Sequence, residues 1–167
     1  MKLILRLKSW QLFLILLFIP VILSFFHLEY FSDILTIILT ILIGSAYFFW
    51  LLAIGLMLPK KLDKSITIPS KSFKFHFIGI ILVIVLLLFF VSNNILPKDY
   101  AGIIIIPSLY YFYAIFIIFR YVSKVIASVE LKRLAKAPDY MGYFMLIWFF
   151  PIGVWFIQPK LNKYFED

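Results

Sequence analysis

The chain has 167 residues, of which 65% are hydrophobic and 14% charged, against about 45–50% apolar and about 25% charged in an average soluble domain. A water-exposed domain of this length cannot bury so much apolar surface, so the composition argues against a soluble enzyme, a nucleic-acid module and a disordered chain, and for an integral membrane protein. The net charge of +8, from 16 Lys+Arg against 8 Asp+Glu, then reads as membrane orientation, because most basic residues stand at the ends of apolar runs.

A helix needs about 20 apolar residues to cross the hydrocarbon core, with a working range of about 17–25. The first uncharged run is Trp10–Phe26, preceded by Lys2, Arg6 and Lys8. It is long for a signal-peptide core, and Ser24–Leu28 contains no small-x-small cleavage site, so it reads as a retained helix kinked at Pro20. The second run, Ile34–Leu58, stops at Pro59-Lys60-Lys61, and its Gly44-Ser45-Ala46 forms a small face that permits close helix packing. Asp63–Phe75 alternates polar and apolar residues in places and reads as a short strand or an extended segment on the membrane surface. The third run, Phe75–Ile95, contains the turn signal Ser92-Asn93-Asn94 near its end. The fourth, Ala101–Tyr121, carries Pro107 in its first two turns and Arg120 at its far end, where a long side chain snorkels to the headgroups. Val122, Val125, Ile126 and Val129 then recur at helical spacing, so Val122–Ala137 reads as an amphipathic cytoplasmic extension of that helix, stopped by Pro138-Asp139.

The fifth run, Met141–Ile157, is uncharged but interrupted by Pro151 and Gly153 and closed by Pro159. Trp148 and Trp155 lie on either side of the interruption. Two arrangements fit: a kinked full crossing, or two half-helices in a re-entrant hairpin. The fold class expected is thus an all-α polytopic membrane protein, one membrane domain over residues 1–167, with four transmembrane helices and a broken, kinked or re-entrant fifth segment.

Loop charges set the orientation. Lys2, Arg6, Lys8, Lys60, Lys61, Lys64, Lys71, Lys74, Arg120, Lys124, Lys132, Arg133 and Lys136 fall on one side, and Lys98 alone falls on the other, beside Glu29, Asp33 and Asp99. That bias puts the N-terminus in the cytoplasm. Lys160 and Lys163, balanced by Glu166 and Asp167, leave the side of the C-terminal segment open. Lys60, Lys61, Lys64, Lys132 and Arg133 are the expected contacts to anionic phospholipid headgroups, at about 1 kcal/mol each.

The catalytic inventory is thin. There is no cysteine, hence no disulfide, Cys-ligated metal or lipobox anchor. His27 and His76 are far apart, and no Gly-rich phosphate loop or His-x-x-Glu-type motif occurs, so no metal or cofactor is expected. His27, Glu29 and Asp33 share a short outer loop, while His76 reads as an interfacial side chain. No acid falls inside an apolar run, which argues against an ion-coupled carrier acting alone. Glu130 reads as an i,i+3 ion pair with Arg133 on a solvated helix face, worth a few tenths of a kcal/mol. Its alternative is a contact to the start of the fifth segment or to a partner. Gln158 and Asn162, flanking Pro159, read as hairpin caps or headgroup donors.

Ser128-Val129-Glu130, Gly142-Tyr143-Phe144 and Trp148-Phe149-Phe150-Pro151-Ile152-Gly153-Val154-Trp155-Phe156-Ile157-Gln158-Pro159-Lys160-Leu161-Asn162 together resemble the C-terminal signature of small, uncharacterised bacterial inner-membrane proteins. Those read S-x-E, then G-x-F, then W-F-F-P-I-G-x-W-x-x-Q-P-K/R-x-N. The likeness covers about the last quarter of the chain, with Met145 standing where Leu is expected. It implies a bacterial cytoplasmic membrane and treats Glu130, Trp148, Pro151, Gly153, Gln158, Pro159 and Asn162 as one structural or interaction unit, without supplying a mechanism.

Three functions follow as expectations. The first is a non-enzymatic subunit or assembly factor of a larger inner-membrane complex, whose partners are the bilayer, anionic headgroups and other membrane subunits, with no nucleic acid. The second is a small channel or carrier with its path at the broken fifth segment. The third is a lipid-acting membrane enzyme combining Glu130 or Asp139 with Arg133 or Lys136.

Overall fold

The computed structural model describes residues 1–18, 33–92 and 101–165. Pro20, the Ser24–Leu28 stretch with His27, Glu29, Asn93, Asn94, Lys98, Asp99, Glu166 and Asp167 lie outside the described residues, as do the readings made on them.

The described residues are helical, with no strand among them. Two short helices open the chain, α1 (Lys2–Arg6) and α2 (Ser9–Phe13), and a π-type turn follows over Leu14–Phe18. They are separate because Leu7 and Lys8 are extended, and the Gln11 side chain accepts the Lys8 N–H at 2.9 Å to start α2. Helix α3 (Asp33–Met57) carries the second apolar run and passes into a 3-10 turn, Leu58–Lys61. Pro59 fits that turn, since its fixed φ and missing N–H cost nothing at a helix start. The segment expected as a short strand or an extended stretch opens as a turn, with the Ile66 N–H on the Asp63 carbonyl at 2.9 Å, is open to Ser70, and is helical from Lys71. Among the described residues no strand is there to pair with it.

Helix α4 (Lys71–Ser92) begins one turn before the apolar run it carries. Helix α5 (Ala101–Leu131) continues unbroken through Pro107. Val122, Val125, Ile126 and Val129 form a helical face, but that face is buried within the molecule and not laid on a membrane. The helix also stops earlier than the sequence implied. Lys132 has a left-handed φ of 51°, which ends α5 at Leu131. Pro138 terminates nothing: it sits in the first turn of α6 (Ala137–Trp148), where proline is favoured. Helix α7 (Phe150–Phe165) is the last described element.

One core joins these elements. Leu5, Leu12, Trp50, Ile54, Phe73, Ile118, Val122, Ile147, Ile157 and Leu161 are all buried in it. Phe73 stacks on Tyr121 with centroids 4.5 Å apart and lies over Gly55, where any Cβ would collide with its ring. One close helix approach in α3 therefore falls at Gly55. Among the described residues, one stretch, Ile105–Leu131, is long and apolar enough to cross a membrane, with 27 residues and a mean hydropathy of 1.7.

Candidate functional site

The C-terminal quarter is a helical hairpin, and its turn explains why. In a continuous helix Pro151 would leave the carbonyl four residues earlier, that of Ile147, without a donor and would press against it. The chain leaves the helix at Phe149, with φ −88° and ψ 58°. The Tyr47 hydroxyl donates to the Ile147 carbonyl at 2.8 Å. The break thus falls two residues before Pro151, which takes a place in the first turn of α7. Gly153 serves another purpose. Its Cα lies against the Leu146 carbonyl, and a Cβ there would overlap that oxygen, so glycine lets α7 fold back on α6. Tyr143 on α6 meets Lys160 on α7 at 2.6 Å; the two helices are antiparallel and both ends of the hairpin lie at one end of the molecule. Pro159, expected to close the segment, lies inside α7, which runs on to Phe165.

Gln158 sits at the centre of this end, fully buried. Its Oε1 accepts the Trp50 indole N–H at 3.0 Å. Its Nε2 faces the carbonyls of Ile4 and Leu5 at 3.2 Å and of Leu7 at 2.8 Å, and Asn162 Oδ1 at 3.1 Å. Those carbonyls belong to the end of α1, where helix geometry leaves acceptors unpaired. Gln158 therefore caps α1 from a distance of 151–154 residues along the chain, with its amide aimed by Trp50 and Asn162. It caps neither the hairpin nor a headgroup.

A second tie joins α5 to the hairpin. Lys160 Nζ donates to Glu130 Oε1 at 2.8 Å, and the Tyr143 hydroxyl donates to the other Glu130 oxygen. The Lys160 ammonium also lies 5.0 Å from the Tyr143 ring centroid. Hydrogen bonding to Glu130, then to Tyr143, raises the Lys160 pKa. Glu130 does not pair with Arg133, as spacing on one helix had implied, because α5 ends between them and Arg133 turns away. Arg133 instead forms a two-pronged bridge to Asp139, at 2.9 and 3.0 Å. Asp139 also accepts the Lys136 N–H at 2.8 Å as part of a capping box. The Arg133 guanidinium, then that N–H, hold the Asp139 carboxyl below its ordinary pKa. Ser128 Oγ accepts the Ala135 N–H at 3.0 Å, closing the same loop.

The third feature is a pocket of about 180 Å³ where α1, the Leu58–Lys61 turn and the end of α7 converge, lined by Lys2, Arg6, Met57, Lys60, Lys61 and Phe165. Arg6 Nε donates to the Phe165 carbonyl at 2.6 Å, and Lys61 Nζ lies 5.6 Å from the Phe165 ring centroid.

Of the seven residues grouped from sequence, Gln158 and Asn162 touch each other, and Pro151 and Gly153 shape one turn. Trp148 stands beside that turn, half-exposed, stacked on Phe144 and edge-on to Phe119. Glu130 and Pro159 belong to the opposite end. Lys64, Lys132 and Arg133 are exposed, while Lys60 and Lys61 reach the pocket. His76 is buried against Tyr110 and Tyr113. Sequence reading missed Tyr47, Trp50, Tyr143 and Lys160. For the three aromatics the available signal was a polar tip on a ring inside an apolar run, because a buried Tyr hydroxyl or Trp N–H needs a partner; Lys160 carried no such signal. Among the described residues no group of three or more His, Cys, Asp or Glu could hold a metal ion. No known protein family, curated protein or solved structure matches the chain.

Proposed function

We propose that the chain is a multi-pass protein of the bacterial cytoplasmic membrane, with its basic end in the cytoplasm, and that it acts as a non-enzymatic subunit or assembly factor of a larger membrane complex. The outer faces of α4 and α5 support the membrane setting. Ile78, Ile81, Leu82, Val85 and Leu86 on one, and Ile105, Ile106, Leu109, Phe112 and Phe116 on the other, are exposed, a patch far beyond what a water-soluble monomer displays.

The observation that carries the subunit reading is the pair Trp148 and Trp155, 52% and 49% exposed near the hairpin turn. At about 1.5 Å per residue, the 12 residues of α6 lift the turn about 18 Å from the basic end, roughly mid-depth in a core about 30 Å thick. Indoles favour the interface, where their N–H finds a partner. At the depth of Trp148 lipid offers none, Trp155 lies about 8 Å back toward the basic end, and neither N–H donates to another described residue. A neighbouring helix with a polar acceptor would satisfy them.

The test is purification of the tagged protein from its own host in mild detergent, read by native mass. A heteromeric complex of fixed stoichiometry, weakened by Trp148→Phe or Trp155→Phe, is expected. A lone monomer would overturn the reading. A homo-oligomer would instead favour the channel or carrier, with Ile152→Cys labelling to locate its path.

A further inference from the structure

We infer, on the subunit reading proposed above, that the groove between α5 and α6 seats a transmembrane helix of the partner subunit, and that this helix carries an aspartate or glutamate whose carboxylate pairs with Arg120.

Two helix faces make the groove. Phe116, Arg120 and Lys124 stand four residues apart along α5, and Tyr140, Phe144 and Trp148 stand four apart along α6, so each set lines one side of its helix. Phe144 joins the two sides. Its ring centroid lies 5.1 Å from that of Phe116, 6.3 Å from Phe119 and 6.1 Å from Trp148. Phe119 is buried beneath, while Phe116 and Trp148 are exposed at the rims.

Arg120 is exposed in this groove. Its Nε donates to the Tyr140 hydroxyl at 3.3 Å, which holds the guanidinium against α6. At about 1.5 Å per residue, Arg120 lies about 16 Å along α5 from the basic end at Leu131, within the Ile105–Leu131 span. Arginine keeps its charge in such a place, and a charge at membrane depth needs a counter-charge or water. The acids nearest to it in sequence are committed elsewhere, Glu130 to Lys160 and Asp139 to Arg133. Among the described residues Arg120 forms no ion pair.

A neutral acceptor would satisfy the Trp148 indole but not this guanidinium, so charge complementarity selects a carboxylate. A headgroup phosphate would have to sink below the edge of the hydrocarbon core to reach Arg120. A carboxylate on a membrane helix would already be there. From Tyr140 to Trp148 is about 12 Å of helix. The partner's acid and its acceptor for Trp148 should therefore lie about two turns apart.

The experiment uses the full chain in the membranes of its own host. Arg120→Lys places an amine where the guanidinium stands. A membrane-permeant carbodiimide then condenses that amine with a touching carboxylate, with loss of water, and mass spectrometry maps the isopeptide bond. The expected result is a link from position 120 to an aspartate or glutamate inside an apolar run of a different protein. Arg120→Gln should lower recovery of the heteromer at least about ten-fold, with the near-ultraviolet circular dichroism of the chain as in wild type. Lys64→Gln, at an exposed loop position, should change recovery less than about two-fold.

Failure to link position 120 to another protein overturns the inference. A link to an acid of a second copy does so by giving the groove to a homo-oligomer. Phospholipid that co-purifies with wild type and is lost from Arg120→Gln does so by giving Arg120 a headgroup phosphate. A heteromer recovered equally from wild type and Arg120→Gln overturns the pairing and leaves the subunit reading standing. A wild-type chain that purifies as a lone monomer refutes the subunit reading itself.

Discussion

Among single residues, Gln158 carries the most structure for its size. In the membrane setting proposed, apolar side chains would gain little by leaving their solvent, and helices would be held by packing and by hydrogen bonds worth roughly 0.6–2 kcal/mol each. Gln158→Leu preserves bulk but leaves the Trp50 N–H and the α1 carbonyls unpaired, at about 1–3 kcal/mol for each group left unsatisfied. The variant should unfold several degrees lower in the same detergent, followed by near-ultraviolet circular dichroism, and should release α1 to trypsin at Arg6 and Lys8. Unchanged melting and protection would mean the amide network is incidental. Two glycines give a matched pair. A Cβ at Gly153 meets the Leu146 carbonyl, whereas one at Gly142 meets nothing within 4 Å. Gly153→Ala should therefore cost about 1–3 kcal/mol by overpacking. Gly142→Ala, on an exposed position of α6, should gain up to about 1 kcal/mol of helix propensity. Equal effects of the two would remove close helix approach as the reason for Gly153. The sequence marked Gly153 as unusual but could not say which atom it avoided, because Leu146 becomes its neighbour only once the chain reverses.

For the membrane topology proposed, the element that matters most is the hairpin of α6 and α7. Its two ends meet through Tyr143, Lys160 and Glu130, so Lys163 should lie on the same side of the membrane as Lys132. The absence of cysteine makes this directly testable. Lys132→Cys and Lys163→Cys should both react with an impermeant thiol reagent from the cytoplasmic side and neither from outside. Labelling of Lys163→Cys from outside would favour the kinked full crossing over the re-entrant hairpin. The loop that enters the hairpin has a pH dependence of known sign. The Asp139 pKa is lowered by Arg133 and the Lys136 N–H, so its contribution is present above the carboxyl's unfolded pKa and is lost as pH falls through the lower, folded one. Amide exchange over residues 131–139 should thus be slow near neutrality and quicken as pH falls below about 4, the ordinary Asp value, once the intrinsic pH effect is divided out. Asp139→Asn should be quick throughout. Helix existence was legible here from apolar runs and prolines, and the break was legible within two residues. Pairing was legible only in part: the alternative contact of Glu130 to the start of the fifth segment is made through Tyr143, but Glu130 with Arg133 also satisfied helical spacing, and the left-handed Lys132 ended the helix before that spacing applied. A single lysine gives no sequence sign of adopting that conformation.

At the scale of the whole molecule, the first and last described helices are stitched together, with Arg6 on the Phe165 carbonyl and Gln158 on α1. Nothing local in the sequence announces contacts between residues more than 150 positions apart. The apolar outer surface, by contrast, follows directly from composition: with 65% hydrophobic residues, the core fills and the remainder must face outward. Whether that remainder faces lipid can be decided by charge. Phe112 is 67% exposed near the middle of the Ala101–Tyr121 apolar run, and Leu134 is 49% exposed in the loop after α5. In water, a lysine at either place would be harmless, since surface substitutions away from special features stay within about 0.5 kcal/mol. At the centre of a transmembrane helix, lysine costs roughly 2.5–3.5 kcal/mol to insert. Phe112→Lys should therefore lower the amount of protein in the membrane fraction several-fold and shorten its lifetime, while Leu134→Lys should match wild type in both. Wild-type behaviour of Phe112→Lys would place that face of α5 in water or against a polar partner, and the crossing would then have to be sought elsewhere in the chain.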